Sequence, residues 1–125
     1  ATRTEVEMFP VGEPFHELYI SKLGEKLMRE SYDELGIPCA NQSGMKGSSD
    51  IGNVDYRCPA FHPMMGIGIE ENCHTQEFAD AMTTQGAHDA IKNSASLLLC
   101  MTAKMYGNPQ LLQQIKADHK AYRGY

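Results

Sequence analysis

The sequence lacks the features that identify membrane proteins, secreted proteins and nucleic-acid-binding proteins. No apolar run approaches the roughly 18 residues that cross a bilayer, and no basic segment followed by an apolar one marks a secretory signal. Lysine and arginine form no cluster, and the formal net charge is −5. Because phosphate binding requires a basic surface, we expect neither a nucleic-acid partner nor a membrane partner.

Paired cysteines are also missing. Cys39, Cys58, Cys73 and Cys100 form no C-x-x-C pair, so neither a zinc motif nor a redox motif is indicated. A chain with this much core-forming sequence does not need a disulfide framework, and we expect reduced thiols and a cytoplasmic location. A thiol-dependent role through Cys58 and Cys73 is the least favoured function, since no thiol-hydrolase signature surrounds Cys73.

The hydrophobic pattern predicts both helices and strands within one domain of 125 residues. The first helix has Pro14 in its first turn and ends at Gly36, which is expected in the left-handed conformation. The second helix has Thr83 or Thr84 as its N-cap, and the third starts at Asn108-Pro109. The predicted helices cover residues 14–36, 86–107 and 109–122, and the predicted strands cover residues 2–9, 54–59 and 61–69.

This order of elements predicts an α/β fold with layers of helix and sheet. Two long helices with apolar faces and only two or three strands resemble part of a layered sandwich more than a complete one. We therefore expect residues 1–125 to form a single, partial domain. Such a half-sandwich would expose large apolar surfaces, which favours a homo-oligomer or another partner.

A possible metal site lies in the sequence EENCHTQEF, residues 70–78. His74 follows a predicted strand directly, and loops at strand ends of layered α/β proteins are where functional sites gather. A neutral imidazole is the commonest metal ligand, and Glu70, Glu71 and Glu77 could supply oxygen ligands or orient the ring. By spacing alone, His74 could equally be a base or an ordinary surface histidine.

A second candidate is the loop sequence GSSD, which places Ser48, Ser49 and Asp50 before a predicted strand. These polar side chains could line a pocket, or they could cap a helix or close a turn. His62, in the sequence FHP, could line the same pocket or satisfy a backbone group. The remaining histidines, His16, His88 and His119, are interpreted as surface residues.

Taken together, these sequences resemble the C-terminal part of a family of metal-dependent amidohydrolases. The sequences are GSSDIGNV at 47–54, PAFHP at 59–63, the pair His74-Thr75, and an alanine-rich helix followed by PQLL at 109–112. The family includes p-aminobenzoyl-glutamate hydrolase, aminoacylase and carboxypeptidase G. The resemblance covers residues 35–120, with Ser49 in place of the usual threonine.

The resemblance implies the fold, the chemistry and the site of a dinuclear zinc exopeptidase. The fold would be the C-terminal portion of an α/β/α sandwich, with residues 1–9 as a remnant of the inserted dimerisation domain or a linking strand. The complete enzyme would use two divalent metal ions, zinc in most members, to activate water for attack on an amide carbonyl. His74 matches the last metal ligand, and Ser49, Asp50 and His62 would contact the substrate.

Most of the family's catalytic residues have no counterpart in this sequence. No H-x-D occurs, and no glutamate pair has the context of the general base and its neighbouring ligand. The chain therefore contains no catalytic residue that can be assigned, and alone it should neither bind two metal ions tightly nor turn over a substrate. The missing N-terminal part would be its partner.

Two functions remain open from the sequence. The first is a segment of a metallo-amidohydrolase that cleaves an N-acyl amino acid, a dipeptide or an aryl-glutamate amide. The second is a non-enzymatic α/β half-domain that covers its apolar faces by self-association, with His74 a vestige.

Overall fold

A computed structural model describes residues 2–39, 48–70 and 73–124. The regular secondary structure of the described residues is helical, and the three longest helices pack against one another in pairs. None of the helices in these ranges is long and apolar enough to cross a bilayer. The helices are α1 (Lys22–Glu34), α2 (Ile51–Asp55), α3 (Gln76–Ala81), α4 (Gln85–Gly107) and α5 (Pro109–Arg123).

The end of α1 is as predicted, but its start is not. Gly36 has a φ of 64°, and its N–H donates to Asp33 while the N–H of Ile37 donates to Tyr32, which completes a Schellman motif.

Ser21, seven residues after Pro14, is the N-cap and accepts a hydrogen bond from the Gly24 N–H at 3.0 Å. The predicted first two turns are therefore extended chain.

The two C-terminal helices begin as the sequence predicts. The Thr84 side chain accepts a hydrogen bond from the Ala87 N–H at 3.4 Å, which makes Thr84 the N-cap of α4. Asn108 caps α5 by accepting from the Leu111 N–H at 3.1 Å, and Pro109 occupies the first turn. Both caps satisfy N–H groups that have no partner within the helix.

The core lies where α1 meets α4. Leu97 is fully buried and Met101 is nearly so, and the extended segment of residues 61–69 covers them through Phe61 and Met65. At the rim, Lys104 of α4 forms an ion pair with Glu34 of α1. The central contacts are made by Tyr32, Ile37, Leu97 and Met101, with Met28, Phe61, Met65 and Met105 packed around them.

The predicted α/β fold is wrong, because no strand occurs in the described ranges. Residues 51–55 form α2, and residues 56–58 continue as a turn, where a strand was predicted at 54–59. Residues 2–9 have no regular secondary structure and are exposed; their assignment to an inserted domain stays a prediction. Residues 61–69 also have no regular secondary structure, with a bend at Gly68, and their burial alternates with a period of two.

The alternation at 61–69 explains the incorrect prediction. The odd-numbered side chains of this segment are half-buried and the even-numbered ones are exposed, which is the pattern that predicts a strand. A strand also needs a neighbour to pair its backbone groups. In the described residues the helices cover the segment instead, as when the Tyr32 hydroxyl donates to the Met64 carbonyl at 2.7 Å.

Candidate functional site

A cleft of about 380 Å³ brings together residues from three separate parts of the chain. Its walls come from the extended segment before α1, from the start of α2, and from the segment that crosses the core. The lining residues are Phe15, His16, Glu17, Leu18, Ser48, Ser49, Ile51 and His62. Its volume is in the usual range for a small-molecule site.

Close packing of α2 against the extended segment forms one wall of the cleft. The Asn53 side chain accepts from the His16 N–H at 2.9 Å and donates to the Pro14 carbonyl at 3.2 Å. The rings of His16 and Tyr56 stack with centroids 4.2 Å apart. A Cβ on Gly52 would overlap the His16 carbonyl oxygen, so only glycine permits this approach. These contacts hold Pro14 and His16 against α2, in place of the helical turn that was predicted for them.

A buried ionic cluster lies directly behind this wall. The Asp55 carboxylate is completely buried and is paired with the guanidinium of Arg123 at the end of α5. It also accepts from the N–H groups of Tyr19 at 3.1 Å and Ala60 at 3.3 Å. Nε2 of His119 lies 2.6 Å from the Asp55 backbone carbonyl, and therefore donates to it. The cluster fixes α2 and α5 relative to each other.

Arg123 connects the buried cluster to the cleft. Its guanidinium donates to the Glu17 carboxylate and, at 2.8 Å, to the Glu17 backbone carbonyl. The hydrogen bond to Asp55 is the main reason that the pKa of Arg123 lies above its ordinary value. A hydrogen bond from its own backbone, followed by the one from Arg123, holds the pKa of Glu17 below its ordinary value. Glu17 is therefore an anion at neutral pH.

The structure brings together two of the four predicted site residues. Ser49 and His62 both line the cleft. Asp50 is at the N-cap position of α2, exposed, without a side-chain capping bond, and outside the cleft lining. Their substrate contacts stay predictions. Glu71 and residues 40–47, which include the start of the GSSD sequence at Gly47, lie outside the described residues.

His74 is exposed in the turn before α3 and does not line the cleft. Its φ of 71° makes it a non-glycine residue in the left-handed region, a conformation that costs free energy and often marks a functional site. The next residue, Thr75, caps α3 by accepting from the Phe78 N–H at 3.2 Å. Within the described ranges, no three histidine, cysteine, aspartate or glutamate side chains come together to hold a metal ion.

The sequence reasoning missed the residues that organise the cleft. His119, interpreted as a surface residue, is only 3% exposed; its position four residues after the buried Ile115 could have placed it on the inner face of α5. His16, also interpreted as a surface residue, is exposed but lines the cleft. Asp55 and Arg123 are separated by 68 residues, and no local pattern could have paired them.

All four cysteines lie within the described residues and form no disulfide there; their reduced state stays a prediction. Cys39, Cys58 and Cys73 are exposed, and Cys100 is partly buried in α4. The cytoplasmic location that this usage suggests stays a prediction.

Comparison with known proteins identifies two dipeptidases as relatives. Over 110 residues, the chain is 30% identical to the Xaa-Arg dipeptidase of Homo sapiens, an alignment that covers 82% of this chain and 25% of that protein. The Xaa-Arg dipeptidase of Mus musculus is 29% identical over 97 residues, which cover 78% of this chain and 22% of that protein. The chain thus spans about a quarter of the length of these curated relatives. No family model and no solved structure matches it.

These relatives support the resemblance at the level of the family. The chain is distantly homologous to a peptidase, and a peptidase-like amidohydrolase segment is the coarse description that the homology supports. The particular members named from the sequence, such as carboxypeptidase G, are not supported.

Proposed function

We propose that this chain is a segment of a metal-dependent dipeptidase, and that the complete enzyme cleaves the amide bond of a dipeptide with a basic C-terminal residue. The observation that carries the proposal is the homology to two Xaa-Arg dipeptidases over about four fifths of the chain. It favours a dipeptide over an N-acyl amino acid or an aryl-glutamate.

His74 is the proposed metal ligand of this segment. Two divalent ions, zinc in most members of the family that the sequence resembles, would activate water and polarise the amide carbonyl. The described residues do not fit such a pair of ions by themselves, since no three ligand side chains converge. His74 therefore needs ligands from outside the described residues, and the chain alone is expected to be inactive. Ser49, Asp50 and His62 are the proposed substrate contacts.

A chimeric enzyme tests this proposal. The matching quarter of the human Xaa-Arg dipeptidase is replaced by this chain, and hydrolysis of alanyl-arginine and bound zinc are measured. We expect hydrolysis by the chimera, and we expect His74→Ala to lower both zinc content and rate while His88→Ala, an exposed histidine on α4, changes neither. A folded chimera that hydrolyses the dipeptide equally well with His74→Ala would refute the role of His74, and a folded, inactive chimera would favour a vestigial segment.

A self-associating protein without enzymatic activity is the second candidate, and the outer surface of α4 favours it. Residues 93–103 carry no charged side chain, yet Leu98 is 51% exposed and Leu99 is 70% exposed. Exposed apolar surface that continues along a helix marks an interaction site in soluble proteins. Ile91 and Tyr106 extend the same exposed surface by about two turns in each direction.

Sedimentation velocity over a wide range of protein concentrations tests self-association. We expect the mass to rise with concentration, and we expect Leu98→Glu to weaken the association by about tenfold or more, because it places a charge in an apolar interface. The control is Lys92→Glu, a substitution at an exposed position of the same helix that leaves the apolar surface intact. A monomer at all concentrations would count against this candidate.

A further inference from the structure

The charges behind the cleft do not balance. One guanidinium, that of Arg123, lies between two carboxylates, those of Asp55 and Glu17. Counted without the imidazoles of His119, which lies 3.4 Å from Asp55, and of His16 in the cleft, these three groups carry one positive and two negative charges, a net charge of −1. Because Asp55 is completely buried while the Glu17 side chain is 61% exposed, solvent and ligands meet the excess negative charge at Glu17.

Glu17 is held in position by Arg123 while most of its side chain stays exposed. Arg123 contacts Oε1 of its carboxylate and also its backbone carbonyl, so the side chain and the main chain are anchored by the same guanidinium. Among the side chains of the described residues, Arg123 is the one that hydrogen-bonds the Glu17 carboxylate, through Oε1. An acceptor that is already positioned binds a ligand with little further loss of conformational entropy.

The remaining walls of the cleft fit a cation on an apolar stem. Phe15, Leu18 and Ile51 provide apolar surface, and the hydroxyls of Ser48 and Ser49 can accept hydrogen bonds. No lysine or arginine is among the residues that line it. Lysine and arginine side chains combine a methylene stem that packs on apolar surface with a charged head that seeks an anion. A free carboxylate would be repelled by Glu17.

We propose that Glu17 determines the specificity of this cleft, by receiving the cationic side chain of the basic residue of a dipeptide. The choice of a dipeptide as the ligand rests on the proposed function above. The preference for a cation follows from the charges of Asp55, Arg123 and Glu17 alone. Arg123 acts here as a positioning residue, because it holds Glu17 without facing the ligand.

Equilibrium binding to the intact 125-residue chain tests the proposal without requiring metal or turnover. Alanyl-arginine is compared with alanyl-citrulline, which has nearly the same shape and no charge on its side chain. We expect alanyl-arginine to bind about tenfold more tightly, the size of one charge-assisted hydrogen bond at a partly exposed site. We expect Glu17→Gln to remove most of this preference, while Glu13→Gln, which makes the same change in net charge at an exposed residue outside the cleft, retains it.

Three results would overturn the proposal. They are equal binding of the two dipeptides, an unchanged preference for alanyl-arginine in Glu17→Gln, and a loss of that preference in Glu13→Gln as large as in Glu17→Gln. If Glu17→Gln unfolds the chain, amide chemical shifts of the unmodified protein decide the question. Alanyl-arginine should then shift the resonances of residues 15–18 and Ser49, and alanyl-citrulline should shift them less; shifts elsewhere would contradict the assignment. An inactive chimera combined with selective binding would refute the proposed hydrolysis and leave the role of Glu17 intact.

Discussion

Asp55→Ala is expected to lower the free energy of unfolding by about 3–5 kcal/mol, the usual cost of removing one partner of a buried ion pair. Among the described residues, the change leaves Arg123, whose side chain is 4% exposed, with the exposed Glu17 as its remaining anionic partner. It also removes the acceptor for the N–H groups of Tyr19 and Ala60, and an unpaired buried donor costs more than a hydrogen bond contributes. Urea unfolding followed by circular dichroism measures the difference.

Two comparisons show whether the buried charge causes this loss. Glu25→Ala removes one partner of Arg29, in an exposed pair on α1, and we expect a loss below about 1 kcal/mol. Adding Arg123→Met to Asp55→Ala should restore part of the stability, because replacing both buried charges by apolar groups is much less costly than removing one. If Asp55→Ala costs no more than Glu25→Ala, the cluster is not buried in solution as described.

Local signals in the sequence identified the end of α1 and the starts of α4 and α5. Thr84, Asn108-Pro109 and Gly36 each act through a hydrogen bond or a backbone conformation that involves only residues close in the chain. Such signals do not depend on the rest of the fold, and for this reason they can be recognised in a single sequence.

The elements that depend on distant partners could not be identified in this way. Residues 61–69 have the alternation of a strand, but whether they pair depends on a neighbouring strand that the described residues do not contain. Pro14 fits the first turn of a helix equally well in isolation, but Asn53 holds it in an extended segment. Ser49 and His62 were candidates from their positions beside predicted strands and from the family resemblance, whereas Glu17 becomes a candidate only when α5 brings Arg123 beside it.

Gly52→Ala is the second change for which we expect a large effect. Gly52 belongs to the sequence GSSDIGNV that carries the family resemblance, and its place in the fold gives a steric reason for the glycine. An added Cβ would overlap the His16 carbonyl oxygen, which is backbone and cannot rotate away. We expect a loss of about 3 kcal/mol, the upper end of the range for overpacking, and a displacement of residues 14–19 that opens the cleft.

Gly107→Ala is the matched control for this change. Gly107 is also helical, at the end of α4, and no atom lies within 4 Å of a Cβ placed there. Because alanine favours the helix by up to about 1 kcal/mol relative to glycine, we expect Gly107→Ala to leave stability unchanged or raise it.

Urea unfolding compares the two variants, and amide chemical shifts of His16 and Asn53 report whether α2 has separated from the segment before α1. Equal stability of the two variants, with those shifts unchanged, would mean that the contact between Gly52 and His16 does not build the wall of the cleft. The selectivity assigned to Glu17 would then need another structural basis, because Glu17 follows His16 in the segment that this contact positions.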